Sequence, residues 1–248
     1  MPHMDTATPS QNYDQRRGQI ETYFDRTASD TWARLTSNEP VSGVRKTVRE
    51  GRDRMRAHLL DWLPQDLSGK RLLDAGCGTG ALAREAAARG ADVVAIDVAG
   101  SLVELARDRS DEAFGAQSAG SAGTGRIDYR VGDMLDPALG QFDHVVAMDS
   151  LIHYRSADMV TMVARLAERT GSSIVFTFAP RTPALSLMWT VGRLFPRQDR
   201  APAIEPVGAR ALRRYLATEP ALSGWTSARD FRVNTGFYKS HAMELIRA

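Results

Sequence analysis

The stretch that most constrains this chain is Lys70-Arg71-Leu72-Leu73-Asp74-Ala75, followed at once by Gly76-Cys77-Gly78-Thr79-Gly80. A short apolar run closed by a glycine turn reads as a buried strand, and the segment from Ala81 to Arg89 reads as the helix that the turn opens. Glycines at such a strand-to-helix turn permit a tight reversal and a close ligand approach, because no Cβ intervenes. Asp92–Asp97 (DVVAID) repeats the pattern as a strand ending on an acid, with a helix from Ser101 to Arg109 behind it. Further strands are expected at Arg126–Val131, Phe142–Met148 and Ser172–Ala179, with a helix at Ala157–Arg169. Strands alternating with helices predict an α/β, doubly wound, mostly parallel sheet, with ligands at the carboxyl ends of its strands. Two closing strands, 226–234 and 236–246, have no helix between them, which suits a hairpin and hence one antiparallel strand.

Two helices precede the sheet. Ile20, Tyr23, Phe24 and Thr27 share one face of a segment running from Gln11 to about Trp32. Val44, Val48, Met55, Leu59 and Trp62 make the apolar stripe of a second helix from about Val44 to Leu63, which Pro64 ends. The organisation expected is a disordered leader over 1–10, a helical arm over 11–64 that covers the cleft, and a catalytic domain over 65–248. Residues 115–125 read as a flexible Gly/Ala/Ser insertion, and 184–195 as a helix apolar nearly all round, followed by another helix near 207–217. The 184–195 helix is a core helix, a lid, or a contact to a membrane or partner, and it is too short to span a bilayer.

Composition adds exclusions. A formal charge of +2 on 248 residues gives no basis for nucleic-acid binding. The single cysteine, Cys77, excludes an internal disulfide and a cysteine-rich zinc site, and fits a reducing cytoplasm. No signal peptide and no membrane-spanning run is expected.

Gly76, Gly78 and Ala81 alone fit the dinucleotide pattern G-x-G-x-x-G/A as well as any other nucleotide site, with Asp97 offering two acceptor oxygens to two ribose hydroxyls. Three features add to the motif. Asp74 stands before the first glycine, where a carboxylate can meet an ammonium. Val131-Gly132-Asp133-Met134-Leu135 brings an acid to the end of the third strand, where an adenine amino group can be bound. Phe142-Asp143-His144-Val145-Val146-Ala147-Met148-Asp149 delivers its end into the cleft, with Asp143 expected only to brace the start of that strand. In this order and spacing, the set resembles the class I S-adenosylmethionine-dependent methyltransferases, with their Rossmann-like sheet, over about residues 70–180. The resemblance implies S-adenosyl-L-methionine as methyl donor, no protein-bound metal, and cofactor contacts from Asp74, Gly76, Cys77, Gly78, Gly80, Asp97, Val98, Asp133, Met134 and Met148. Cys77 is read as a backbone element of the turn and not as a nucleophile.

The flanking segments resemble a narrower family. Tyr23-Phe24-Asp25-Arg26-Thr27, Trp32, Val44–Arg52 (VRKTVREGR), Asp149-Ser150-Leu151-Ile152-His153-Tyr154, Phe178–Thr182 (FAPRT), Gly192–Pro196 (GRLFP) and Gly236-Phe237-Tyr238 are similar to the magnesium protoporphyrin IX methyltransferases of bacteriochlorophyll and chlorophyll synthesis. The resemblance implies methylation of a propionate carboxylate of Mg-protoporphyrin IX. It also implies a magnesium chelatase subunit as partner, and a cytoplasmic protein with peripheral contact to the photosynthetic membrane. His153, Tyr154 and Tyr23 are the candidate catalytic residues. His153 either hydrogen-bonds and aims the carboxylate or ligates the substrate magnesium. The second helix carries Arg45, Lys46, Arg49, Arg52, Arg54 and Arg56 against Glu50 and Asp53, either as a solvated face or with one member meeting an anion, for which Arg49 is the choice. A quinone or phenol methyltransferase is the competing reading; it would need a base or metal to ionise its acceptor.

Overall fold

The computed structural model describes residues 9–25, 32, 34–36, 43–114, 125–181 and 204–248. The 184–195 segment, most of the 115–125 insertion and the start of the leader lie outside the described residues.

Two helices lead in, α1 (Pro9–Tyr23) and α2 (Gly43–Asp61). They are followed by β1 (Arg71–Ala75), α3 (Ala81–Ala88), β2 (Asp92–Asp97), α4 (Gly100–Phe114), β3 (Arg126–Val131) and β4 (Phe142–Ala147). The chain closes through α5 (Ser156–Ala167), β5 (Thr170–Phe178), α6 (Ala209–Thr218), β6 (Trp225–Thr235) and β7 (Tyr238–Arg247). The seven strands lie in the order β3-β2-β1-β4-β5-β7-β6. β1 to β5 pair in parallel, while β7 runs antiparallel to both β5 and β6. The mostly parallel sheet and its C-terminal hairpin are those expected from the strand spacing. Order reverses at β1/β4, the switch point where such sheets bind ligands.

Both faces are covered, which is why β1, β2, β4 and β5 read as continuous apolar runs. On one face Leu73, Val94, Val145, Ile174 and Phe176 meet α1, α5 and α6. On the other, Leu72, Val93, Val146 and Val175 meet α2, α3 and α4. The sequence groups α2 with α1 as a covering arm, but Met55, Leu59 and Leu60 are buried and belong to the second core. Through this stripe α2 packs on β6 and β7, while its Arg49, Arg52 and Arg56 line the cleft. The first helix runs to Tyr23 with Phe24 and Asp25 still helical, and most of the remaining stretch expected up to Trp32 lies outside the described residues. The Asp25 carboxylate accepts from the backbone N–H (3.0 Å) and hydroxyl (2.8 Å) of Ser101 and so caps α4. Asp143 braces its strand, accepting from the Arg71 N–H (2.9 Å) beside Lys70, and these donors hold its carboxyl below the usual range. None of the described helices is long and apolar enough to cross a membrane.

Candidate active site

The glycine turn is built from its own backbone. Gly76 N–H and Cys77 N–H both donate to the Ile96 carbonyl, at 2.8 and 3.0 Å, tying the end of β1 to the end of β2. Gly76 has φ +89°, and a Cβ there would lie 2.3 Å from Ser150 Cβ, so only glycine lets the turn after β4 close over β1. At Gly80 a Cβ would meet Tyr129 Oη at 2.4 Å; this glycine lets α3 start against β3 and faces away from the cleft.

A cavity of about 350 Å³ opens at the carboxyl edge of the sheet. Of the residues singled out from sequence, Asp74, Gly76, Cys77, Gly78, Asp97, Val98, Met134, Met148, Arg49, His153 and Tyr154 line it. Gly80, Asp133 and Tyr23 do not. The Asp133 carboxylate is drawn toward α1 instead. Tyr13 Oη donates to Oδ1 and Arg17 Nη1 donates to Oδ2 at 2.7 Å, while the Leu135 N–H (2.8 Å) also donates to Oδ1. Tyr23 stands edge-on to Phe24, with centroids 5.2 Å apart, and it is Phe24 that reaches the cavity and meets the His153 ring at 6.4 Å.

Two carboxylates sit under the turn. Asp97 is held by the Gly78 N–H (2.8 Å, to Oδ2) and the Ala99 N–H (3.0 Å, to Oδ1), which leaves each oxygen a second lone pair. Burial raises its pKa and these N–H donors pull it back. Asp74 is 2% exposed, and its Oδ2 has no hydrogen-bond partner among the described residues. Burial, reinforced by the Asp97 charge, pushes its pKa up to about 7. A buried acceptor left open is costly unless something fills it, and a ligand ammonium is the chemistry it suits. Burial and the neighbouring Asp97 and Asp74 charges also raise the Cys77 thiol, which keeps it protonated and inert.

The arginine run of α2 resolves into separate tasks. Arg52 pairs with Asp149 and stacks over Trp32 at 4.6 Å. Arg56 bridges Asp53 (2.9 Å) and Glu85 (2.6 Å). Arg49 donates to the carbonyls of Leu35 (2.9 Å) and Arg34 (2.7 Å) while remaining on the cavity wall. Sequence reasoning missed Tyr13 as a cavity residue; it brought Asp149 to the cleft at the end of its strand and named Arg52 and Ser150 only within longer stretches, without a task of their own. The signal at Asp149 is an acid at a strand end, like Asp97. His153, also on the cavity wall, is 8% exposed at the end of a short turn, Leu151–His153. Tyr154 stacks on Tyr13 at 5.4 Å, and its phenol, raised by burial, stays neutral.

Comparison with known proteins places the chain in a family. Residues 72–171 match the model of a methyltransferase domain, and 147–247 match that of the magnesium-protoporphyrin IX methyltransferase C-terminus. The magnesium-protoporphyrin O-methyltransferase of Rhodobacter capsulatus is 48% identical over 234 residues, which cover 94% of this chain and 97% of that one. The chain belongs to the magnesium-protoporphyrin O-methyltransferase family. A crystal structure from the same family, magnesium protoporphyrin IX methyltransferase of Synechocystis PCC 6803 with bound SAH, is similar with a TM-score of 0.77 and 27% identity. That similarity covers 93% of this chain and 99% of that one. A ubiquinone biosynthesis O-methyltransferase of Xanthomonas oryzae is 35% identical, but only over 140 residues, 53% of this chain and 54% of that one. The quinone enzyme thus shares part of the chain, whereas the family relative is similar across nearly all of it.

Proposed function

We infer that this chain transfers the methyl group of S-adenosyl-L-methionine to a propionate carboxylate of Mg-protoporphyrin IX, giving the monomethyl ester and S-adenosylhomocysteine. The observation that carries this reading is the similarity to the Rhodobacter capsulatus enzyme along nearly the full length of both chains. The donor fits the residues present. The open Asp74 Oδ2 suits the ammonium, the remaining Asp97 lone pairs suit the ribose hydroxyls, and the Gly76–Thr79 backbone suits the methionine portion. Val98, Met134 and Met148 supply apolar wall for the adenosine. In this reading Asp133 does not meet the adenine, since its oxygens serve α1.

When bound, the donor supplies an electrophilic methyl on a sulfonium. The acceptor needs no base, because a propionic acid ionises near the glutamate value of about 4.3. The chain's task is to strip water from that carboxylate and aim one oxygen along the methyl–sulfur axis, and such positioning contributes about 7–11 kcal/mol. His153 is the group assigned to this task, on the cavity wall and beside Phe24; Tyr154 supports it as a neutral phenol. Delivery of the apolar acceptor by a magnesium chelatase subunit or from a membrane surface belongs to the same reading and rests on the sequence resemblance.

The test is a product assay with Mg-protoporphyrin IX and labelled donor. Mono-esterification of the porphyrin, with the dimethyl ester inert, is the expected result. Methylation of catechols or quinols with the porphyrin untouched overturns the acceptor assignment.

A further inference from the structure

Asp149 follows β4 and has φ +56°, the one positive φ among the described non-glycine residues. A left-handed residue with a side chain costs about 1–2 kcal/mol and persists only where its surroundings over-determine it. Those surroundings come from three elements. Arg52 of α2 donates to Oδ2, and Tyr238 Oη of β7 lies 3.0 Å from both oxygens. Thr177 of β5 accepts the Asp149 N–H at 2.7 Å and returns its own hydroxyl to Oδ1 at 3.1 Å. The side chain of Asp149 is 8% exposed and that of Arg52 is 18% exposed. Gly51 makes room for this junction, because a Cβ there would lie 2.5 Å from the Tyr238 ring.

An ion pair this sheltered is poor value as stability alone, since desolvating two charges offsets most of their attraction. What the junction does control is direction. The next residue, Ser150, is pressed onto Gly76, Leu151 drops into the core, and the short turn ends at His153 on the cavity wall. Ser150 Oγ is buried with no hydrogen-bond partner among the described residues, so its own side chain fixes the turn only by its seating on Gly76. The hydrogen-bonded hold comes from the residue before it.

We propose that Asp149 is a positioning residue for methyl transfer. Its carboxylate, pinned by Arg52, Tyr238 and Thr177, locks the left-handed turn that aims His153 at the acceptor carboxylate. This rests on the reading of His153 as the group that meets the acceptor.

Three variants of the full chain separate backbone from carboxylate. Asp149→Gly relieves the φ strain but removes the pins. Asp149→Asn keeps the shape, tolerates left-handed φ and keeps an acceptor for Tyr238 and Thr177. Tyr238→Phe removes one pin and leaves the Asp149 backbone untouched. Measurements are SAH affinity by calorimetry, kcat and KM for Mg-protoporphyrin IX, and the His153 imidazole signals in nitrogen-labelled protein, assigned with a His153 variant. Asp149→Gly is expected to lower kcat by about tenfold to a thousandfold, the loss for one positioning group, with KM and SAH affinity within about threefold and the His153 signals displaced. Asp149→Asn should recover kcat to within about tenfold of wild type, and Tyr238→Phe should displace the same signals by a smaller amount. Wild-type kcat with unmoved His153 signals in Asp149→Gly overturns the proposal, as does a loss of SAH affinity that matches the loss of kcat. If the wild-type chain leaves Mg-protoporphyrin IX unesterified, the acceptor assignment fails, and the His153 signals in Asp149→Gly and Tyr238→Phe still decide whether Asp149 holds the turn. Should Asp149→Gly fold poorly by circular dichroism, unmoved signals in Tyr238→Phe count against the proposal.

Discussion

Tyr13 donates its phenol to Asp133 across 120 positions of sequence, and that contact turns the acid at the end of β3 away from the cleft. Burial and the bond to Asp133 raise the phenol far above its ordinary pKa, so it remains a donor at any working pH. With Arg17 on the second oxygen, Asp133 is the anchor of α1. Asp133→Ala is therefore expected to loosen α1 and speed tryptic cleavage after Arg16 and Arg17 by about tenfold, roughly 1.4 kcal/mol, a moderate cost for stranding buried donors. SAH affinity should fall less than in Asp97→Ala, which removes the acceptor assigned to the ribose. Unchanged proteolysis, or equal losses of SAH affinity in the two variants, would count against the anchor.

Asp74 gives a pH dependence whose sign is fixed by its shift. In the folded chain its carboxyl keeps the proton up to about 7, whereas the ordinary value is 3.8. The folded state thus holds more protons between these values, and stability of the ligand-free protein declines as pH rises from about 4 to about 7, then levels. Asp74→Asn removes this contribution. Thermal unfolding should show wild type losing ground to the variant across that window, with the variant more stable at about pH 8. SAH titrations should run the other way in wild type: the ligand ammonium favours the ionised carboxylate, so affinity grows as pH rises toward 7, and Asp74→Asn loses both the affinity and its slope. Parallel melting profiles would refute the raised pKa.

The parts of this site that were legible in sequence are local. Asp74, Gly76, Gly78 and Asp97 sit within two strand ends, and strands buried on both faces advertise themselves as apolar runs. The hairpin was legible because no helix separates its strands. What could not be read is long-range pairing. Nothing near Arg52 marks it as the partner of Asp149, 97 positions away, rather than a member of a solvated face. Nor does Asp133 reveal that the N-terminal helix fills the role the sequence assigns to an adenine amino group. Tyr23 and Phe24 are adjacent, and only the angle at which α1 meets the cleft decides that Phe24 faces His153.

His153→Phe tests the acceptor side. The ring stays comparable in size against Phe24 while its nitrogen atoms are lost, so SAH binding should be preserved and single-turnover methylation should slow by about tenfold to a thousandfold. If the imidazole ligates the substrate magnesium instead, the variant should also lose any preference for Mg-protoporphyrin over metal-free protoporphyrin in binding. Wild-type turnover would remove His153 from the mechanism.

Gly76 and Ser150 offer the sharpest steric test, since each is defined by the other. Gly76→Ala meets two costs: φ +89° is foreign to a residue with a side chain, and the new Cβ would fall 2.3 Å from Ser150 Cβ. The first costs about 1–2 kcal/mol and the second adds to it, so a loss of at least about 2 kcal/mol, or about 4–8 °C in Tm for a chain of this length, is expected. Ser150→Gly deletes the atom that is struck and leaves the φ strain in place. The double variant should therefore recover the steric part alone, with a coupling of about 1 kcal/mol in a double-mutant cycle read by thermal or urea unfolding. Strict additivity of the two single variants would mean that the β1 and β4 turns do not touch, and the seating of Ser150 on Gly76 would fall with it.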